Sequence, residues 1–244
     1  MKRPIIFACL LLAPFITACR KTDGSSTTAT VSPKEDKAGE TPVAVPTDEV
    51  AERFRSAKAL FLKPDIASAL VELDAAHSLD PSNPQVLNLR GSCHVEMRDF
   101  GKALDDFTAA AKGLPENAAI QFNIGEVRFV TKHWDEAITA FKEAKALSAG
   151  EAGNPRDLID FKLMLCEAAL GNAGEFDRMA AANLAAKPGP LSGYTEAARH
   201  YRAGNPASAE EALKDIATRF PDPNLRAPWE DTMKEFGYNI PTKP

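Results

Sequence analysis

The side chains that could do chemistry in this sequence are few and lie far apart. There is no Gly-rich phosphate loop and no Gly-x-Ser-x-Gly nucleophile turn. The histidines are not arranged in a zinc-binding pattern; they are His77, His94, His133 and His200. These observations predict a protein that is not an enzyme and that holds neither a metal nor a cofactor.

One cluster of polar residues near the C-terminus could belong to a different class of protein. A pocket in the region 155–240 would need several convergent polar groups to bind a small ligand or to act as an enzyme. The residues that could supply them lie within eight positions, and they are Tyr194, Glu196, Arg199, His200 and Tyr201. A polar helix face explains the same residues, so the enzyme or carrier remains an alternative.

Two cysteines of the chain, Cys93 and Cys166, lie within its predicted folded part. We place them on helices about two repeats apart, which at 8–10 Å per packed helix separates them by roughly 20 Å. A disulfide tolerates only about 7 Å between Cα atoms. We therefore expect buried free thiols, with a bond between two copies of the chain as the alternative.

We expect residues 1–18 to be a signal peptide and not part of the fold. Lys2 and Arg3 precede an uncharged, mostly apolar run that is too short to cross a bilayer. The run ends in Ile16-Thr17-Ala18-Cys19, which resembles the bacterial lipobox. The resemblance implies cleavage before Cys19, a lipid on its thiol and, because Asp does not follow it, the outer membrane. An ordinary cleaved signal is the alternative.

Residues 20–49 have the composition of a disordered tether. They contain no Leu, Ile, Phe or Met and carry charges of both signs, so they cannot bury enough apolar surface to offset the entropy of ordering. A flexible chain of this length has an r.m.s. span of roughly 30 Å. The tether would hold the folded part near the membrane without fixing its orientation.

Composition and charge narrow the classes of partner. At 244 residues with 44% hydrophobic residues, the chain can bury a sizeable core. Its formal net charge is −5. A mildly acidic protein without a clustered basic face is a poor candidate for nucleic acid, because neutralising phosphates supplies most of that affinity. We expect no nucleic-acid partner.

A pattern of small and large residues recurs every 34 positions in the first half of the chain. The second copy has Gly91, Phe100, Ala103, Phe107 and Ala110, and the third has Gly125, Trp134, Ala137, Phe141 and Ala144. The first copy, one step earlier, has Ala57, Ile66, Ala69, Leu73 and Ala76. Such a repeat predicts pairs of short helices, in which small residues permit close approach and large ones fill the space between.

This pattern resembles the tetratricopeptide repeat. The resemblance implies an all-α solenoid with three clear repeats in residues 50–151 and two degenerate hairpins in residues 152–225. A capping helix with the C-terminal tail follows in residues 226–244. Its Trp229, Met233 and Phe236 share one helix face, so we expect that helix to cover the apolar side of the last hairpin.

The resemblance also implies where a partner binds. In this family the first helix of each repeat lines a concave groove. The matching positions are Phe54, Lys58 and Phe61 in the first repeat, Asn88, Ser92 and Val95 in the second, and Phe122, Glu126 and Phe129 in the third. A groove of this kind accepts an extended peptide or a helix. The same aromatic side chains could instead serve only in packing.

Together these features favour a lipid-anchored adaptor in the bacterial cell envelope. It would bind a protein or peptide partner in its groove, attach to the membrane through Cys19 and face the periplasm. A self-associating structural lipoprotein, in which a second copy fills the groove, is the alternative. The sequence resembles repeat lipoproteins of several envelope pathways, and nothing in it selects one of them.

Overall fold

The computed structural model describes residues 47–148 and 155–240, and every regular element within these ranges is an α-helix. The helices are α1 Thr47–Leu62, α2 Ile66–Leu79, α3 Pro84–Glu96, α4 Phe100–Gly113, α5 Ala118–Val130, α6 Trp134–Leu147, α7 Arg156–Ala169, α8 Ala173–Ala185, α9 Pro190–Arg202, α10 Pro206–Arg219 and α11 Pro223–Phe236. The predicted all-α fold class is confirmed. The predicted lipidation site Cys19 and nearly all of the tether lie outside the described residues. No helix within these two ranges is long and apolar enough to cross a membrane.

The first ten helices form five antiparallel hairpins, from α1–α2 to α9–α10, that stack side by side. The first helices of successive hairpins also touch one another, as α1 touches α3, α3 touches α5 and α7 touches α9. The second helices are further apart. The array therefore curves with its first helices on the inner, concave side, as in other solenoids.

A residue with positive φ marks the turn inside each of the five hairpins, and in the first it is Pro64 with φ 32°. The backbone φ is 61° at Arg98, 64° at Lys132, 78° at Gly171 and 74° at Gly204. Lys132 follows Arg98 by 34 positions, Gly171 follows Lys132 by 39, and Gly204 follows Gly171 by 33. The irregularity that the sequence shows after residue 151 is thus a five-residue insertion between the third and fourth hairpins. Each hairpin itself keeps its register.

Close helix approach depends on a pairing of one small and one large residue. A Cβ atom added at Gly125 would lie 2.6 Å from the Phe141 ring, and one added at Gly91 would lie 2.7 Å from Phe107. Counted from the turn residue, the same two positions in the fourth hairpin hold Met164 and Ala180, both buried. The sizes are reversed there, so the pairing survives while the sequence pattern does not.

The last helix differs from the predicted capping helix in both its start and its position. It begins at Pro223, where Asp222 accepts a hydrogen bond from the Asn224 backbone, and it ends at Gly237 with φ 112°. Its contacts are chiefly with α5, α7 and α9, along the concave side, and not over the end of the last hairpin. The apolar face of α11 lies there because these first helices offer it an aromatic surface.

Candidate partner-binding groove

Three parallel rows of side chains on the first helices build the concave surface. The predicted groove residues fall into these rows as Phe54, Asn88 and Phe122, then Lys58, Ser92 and Glu126, then Phe61, Val95 and Phe129. Counted from the turn residues, the first row continues with Phe161 and Tyr194, and the third row reaches Tyr201 in the last hairpin. Aromatic residues therefore occupy these rows in the first, third, fourth and fifth hairpins, whereas the second hairpin has only Asn88, Ser92 and Val95 there.

In hairpins three to five the chain fills its own groove with α11. The Trp229 ring stacks on Tyr194 at a centroid distance of 5.7 Å and lies 5.6 Å from Phe161. At the other end of α11, the Phe236 ring lies 6.3 Å from Phe129. We call this part of the concave surface, formed by α5, α7 and α9 beneath α11, the covered half of the groove.

The segment after α11 extends this contact. The Tyr238 ring stacks on Tyr201 at 4.9 Å, and the Tyr201 hydroxyl donates a hydrogen bond of 2.6 Å to the Asn239 carbonyl oxygen. Tyr194 lies beneath Trp229, whereas Glu196 and Arg199 are exposed to solvent. The cluster that could have formed a ligand pocket is therefore divided, with its tyrosines packed under the C-terminal segment.

The three groove residues predicted in the third repeat lie in this covered half. Phe129 is fully buried, and Phe122 and Glu126 keep 8% and 7% of their surface exposed. Phe129 contacts Trp134 on α6 and Phe236 on α11, with ring centroids 5.3 and 6.3 Å away. Side chains of the same protein therefore cover the Phe129 ring.

A buried ionic cluster lies in the covered half. Nζ of Lys162, a residue only 1% exposed, lies 2.9 Å from Oε1 of Glu126 and 4.6 Å from the centre of the Phe129 ring. The two side chains form a salt bridge at this distance. Burial raises the pKa of Glu126, and the positive charge of Lys162 opposes that rise.

A second carboxyl group from α11 belongs to the same cluster. Burial raises the pKa of Glu235 to about 7. The charges of Lys162 and Arg98 lower it, while those of Glu126 and Asp231 raise it further. Lys162 was absent from the predicted groove residues. The signal that could have found it is a single cation within the otherwise apolar run Phe161–Cys166, because a lysine there can be buried only with a partner.

In hairpins one and two none of the residues in 47–148 and 155–240 covers the concave surface. We call this part, on α1 and α3, the open half. Phe54, Lys58 and Asn88 are partly exposed, whereas Phe61, Ser92 and Val95 form its more deeply buried floor. The side-chain amide of Asn123 donates to Asn88 Oδ1 at 3.0 Å and holds that residue in place.

Two apolar features flank the open half. Leu62, at the end of α1, keeps 56% of its surface exposed. An open cleft of about 420 Å³ lies beside Phe54, with Val50, Leu79 and Val86 among its lining residues and Arg55 and Asp80 at its polar side. The open half therefore offers apolar contact area and a few polar groups to an approaching segment.

The buried thiols have no chemical role in this surface. Cys93 and Cys166 are both free and fully buried. Burial raises the pKa of each thiol to about 12, which keeps both in the unreactive protonated form at neutral pH.

Comparison with known proteins identifies the repeats. The family model for the tetratricopeptide repeat matches residues 88–152. Among curated proteins, none matches the sequence significantly. A tetratricopeptide repeat protein from Parabacteroides merdae superposes with a TM-score of 0.61 at 16% identity, covering 81% of this chain and 82% of that one.

Two further solved structures share the fold. PilW, described as a widely conserved type IV pilus biogenesis factor, gives a TM-score of 0.58 at 21% identity over 77% of this chain and 86% of its own. YrrB, described as a tetratricopeptide repeat protein with an unusual peptide-binding site, gives 0.55 at 20% identity over 77% of this chain and 94% of its own. At these identities the likeness shows the fold alone.

Proposed function

We propose that this chain, whose residues 88–152 match the tetratricopeptide repeat model and whose fold is that of such proteins, is a non-enzymatic adaptor whose open half binds a protein or peptide partner. One observation carries the proposal. The rows of side chains that hold α11 in hairpins three to five continue into hairpins one and two, where no residue that the structure describes covers them. A surface that binds a helix of its own chain at one end has the chemistry to bind a similar segment at the other.

The side chains of the open half favour an amphipathic segment. Phe54 and Leu62 supply exposed apolar area, Lys58 supplies a positive charge, and the cleft beside Phe54 can take a large side chain. Helix-in-groove recognition uses such anchors at intervals of three or four residues. The peptide-binding site for which YrrB is described lies on the same fold, which is consistent with this proposal.

Binding is tested by a crosslinking pulldown from intact envelopes, followed by titration of the purified partner. Phe54→Ala combined with Lys58→Glu should weaken partner binding at least tenfold, because it removes an aromatic anchor and reverses a charge. Val71→Ala combined with Lys112→Glu is the matched control, since both side chains are exposed on second helices. Equal binding by the two double variants, with unchanged helicity, would place the partner elsewhere.

We further propose that Cys19 carries the lipid anchor and that the adaptor lies on the outer membrane, facing the periplasm. The support is the lipobox-like sequence Ile16–Cys19 and the tether after it. Several acyl chains, at about 0.8 kcal/mol per buried methylene, hold a protein durably on a membrane. Cys19→Ser should move the protein into the soluble fraction of lysed cells. A variant that stays in the membrane fraction contradicts the anchor.

A further inference from the structure

The helix α11 is an addition to an array that is already complete. Each of the ten preceding helices is paired within a hairpin, and these hairpins stack without help from α11. The interface of α11 is confined to one face, with Trp229 and Met233 buried and Phe236 partly buried against Phe129. Lys234 lies on the solvent side of the helix. This arrangement is that of a bound amphipathic helix.

The covered half contains charged groups that would be solvated if α11 left. Lys162 on α7 and Glu126 on α5 are buried with Nζ 2.9 Å from Oε1, and burial raises the pKa of Glu126 and of Glu235 on α11. Removal of α11 would expose apolar area around Phe129 and Phe161, which is unfavourable. It would also return water to these charges, which offsets part of that loss. Exposing the covered half to water therefore costs less free energy than exposing an all-apolar surface.

The connection to α10 explains why α11 occupies the site by default. Only residues 220–222 separate α10 from α11. Nη1 of Arg226 donates hydrogen bonds to the carbonyl oxygens of Phe220 and Pro221, at 2.7 and 3.0 Å, and so fixes the entry to α11. A short tether gives the attached segment an effective concentration in the millimolar range. A free helix with the same contacts would compete with α11 at a disadvantage.

We propose that the covered half is a second helix-binding site, for an amphipathic helix of a partner protein with the chemistry of α11. That helix presents three large apolar side chains at the spacing of Trp229, Met233 and Phe236. Within the chain, α11 competes with that partner helix for the covered half. The site lies on α5, α7 and α9, so the inference is independent of the function proposed for the open half on α1 and α3.

The test uses the full chain with a protease site inserted between Pro221 and Asp222, cut after folding. A fluorescent peptide of residues 223–240 should bind the cut chain with micromolar affinity and bind the uncut chain at least tenfold more weakly, because tethered α11 competes. A peptide with Trp229→Ala and Phe236→Ala should not bind.

A second variant covers the case in which the cut chain does not stay folded. A flexible Gly-Ser segment inserted at the same place keeps α11 attached but lowers its effective concentration, so the affinity for the free peptide should rise relative to the unmodified chain. Unchanged affinity in this folded variant would overturn the proposal. Failure of the free peptide to enter a folded cut chain would do the same. Neither result depends on the open half.

Discussion

Replacing Lys162 with methionine is expected to lower the free energy of unfolding by about 3–5 kcal/mol at pH 8, which is the usual effect of removing one partner of a buried ion pair. Methionine keeps the apolar part of the side chain but leaves the Glu126 carboxylate without the cation 2.9 Å away. The cation–π contact with Phe129 is lost as well. The loss is a large fraction of the stability of an ordinary domain.

The effect should depend on pH in a direction that the structure determines. Burial raises the pKa of Glu126 and that of Glu235, the latter from 4.5 to about 7. A group whose folded-state pKa is raised binds more protons in the folded state, so stability falls as pH rises from the unfolded to the folded pKa. Without Lys162 the two carboxyl groups oppose folding more strongly. The difference between variant and wild type should therefore be smaller at pH 5 than at pH 8.

Urea unfolding followed by circular dichroism at both pH values measures this difference. The control is the double variant Lys162→Met with Glu126→Gln, which removes both charges and should recover most of the loss. Lys145→Met provides a second comparison, since Lys145 pairs with Asp160 in a more exposed position. If Lys162→Met and Lys145→Met cost the same, and neither cost varies with pH, the cluster does not act as a buried ionic group.

The repeat could be predicted from the sequence because its signal lies in the order of residue sizes. Gly91 with Phe107 and Gly125 with Phe141 occur in the same order at the same interval. The fourth hairpin keeps the pairing but reverses the sizes, as Met164 and Ala180. The repeat pattern, compared position by position, is lost in the fourth hairpin. Packing depends on the combined volume of the two side chains, which the reversed order preserves.

The position of α11 could not be predicted in the same way. The face formed by Trp229, Met233 and Phe236 shows that this helix must cover something apolar. The surface it covers is assembled from α5, α7 and α9, whose residues lie far away in the sequence. The end of the last hairpin and the concave side both satisfy the local pattern. Only the three-dimensional placement of Phe161 and Tyr194 beneath Trp229 distinguishes them.

Phe129→Ala is expected to destabilise the protein by about 3–5 kcal/mol, the usual range for truncating a buried phenylalanine. Its ring contacts Trp134, Phe141 and Phe236, and the ammonium group of Lys162 lies over its face. Removal leaves a cavity where hairpins three and four meet α11. Hydrogen exchange of residues 223–236 should accelerate more than that of α1 and α2, because α11 loses its aromatic contact at one end.

Phe54→Ala is the matched control for Phe129→Ala, because it makes the same change at another predicted groove position, in the row of Phe122, that stays partly exposed. It should cost no more than about 1–2 kcal/mol while weakening partner binding. Phe129→Ala combined with Phe236→Ala should cost less than the sum of the two, since both lose the same ring contact. A Phe129→Ala protein that keeps wild-type stability but no longer binds its partner would contradict this account. Phe129 would then contact the partner, as the repeat pattern predicts, and would not support the fold.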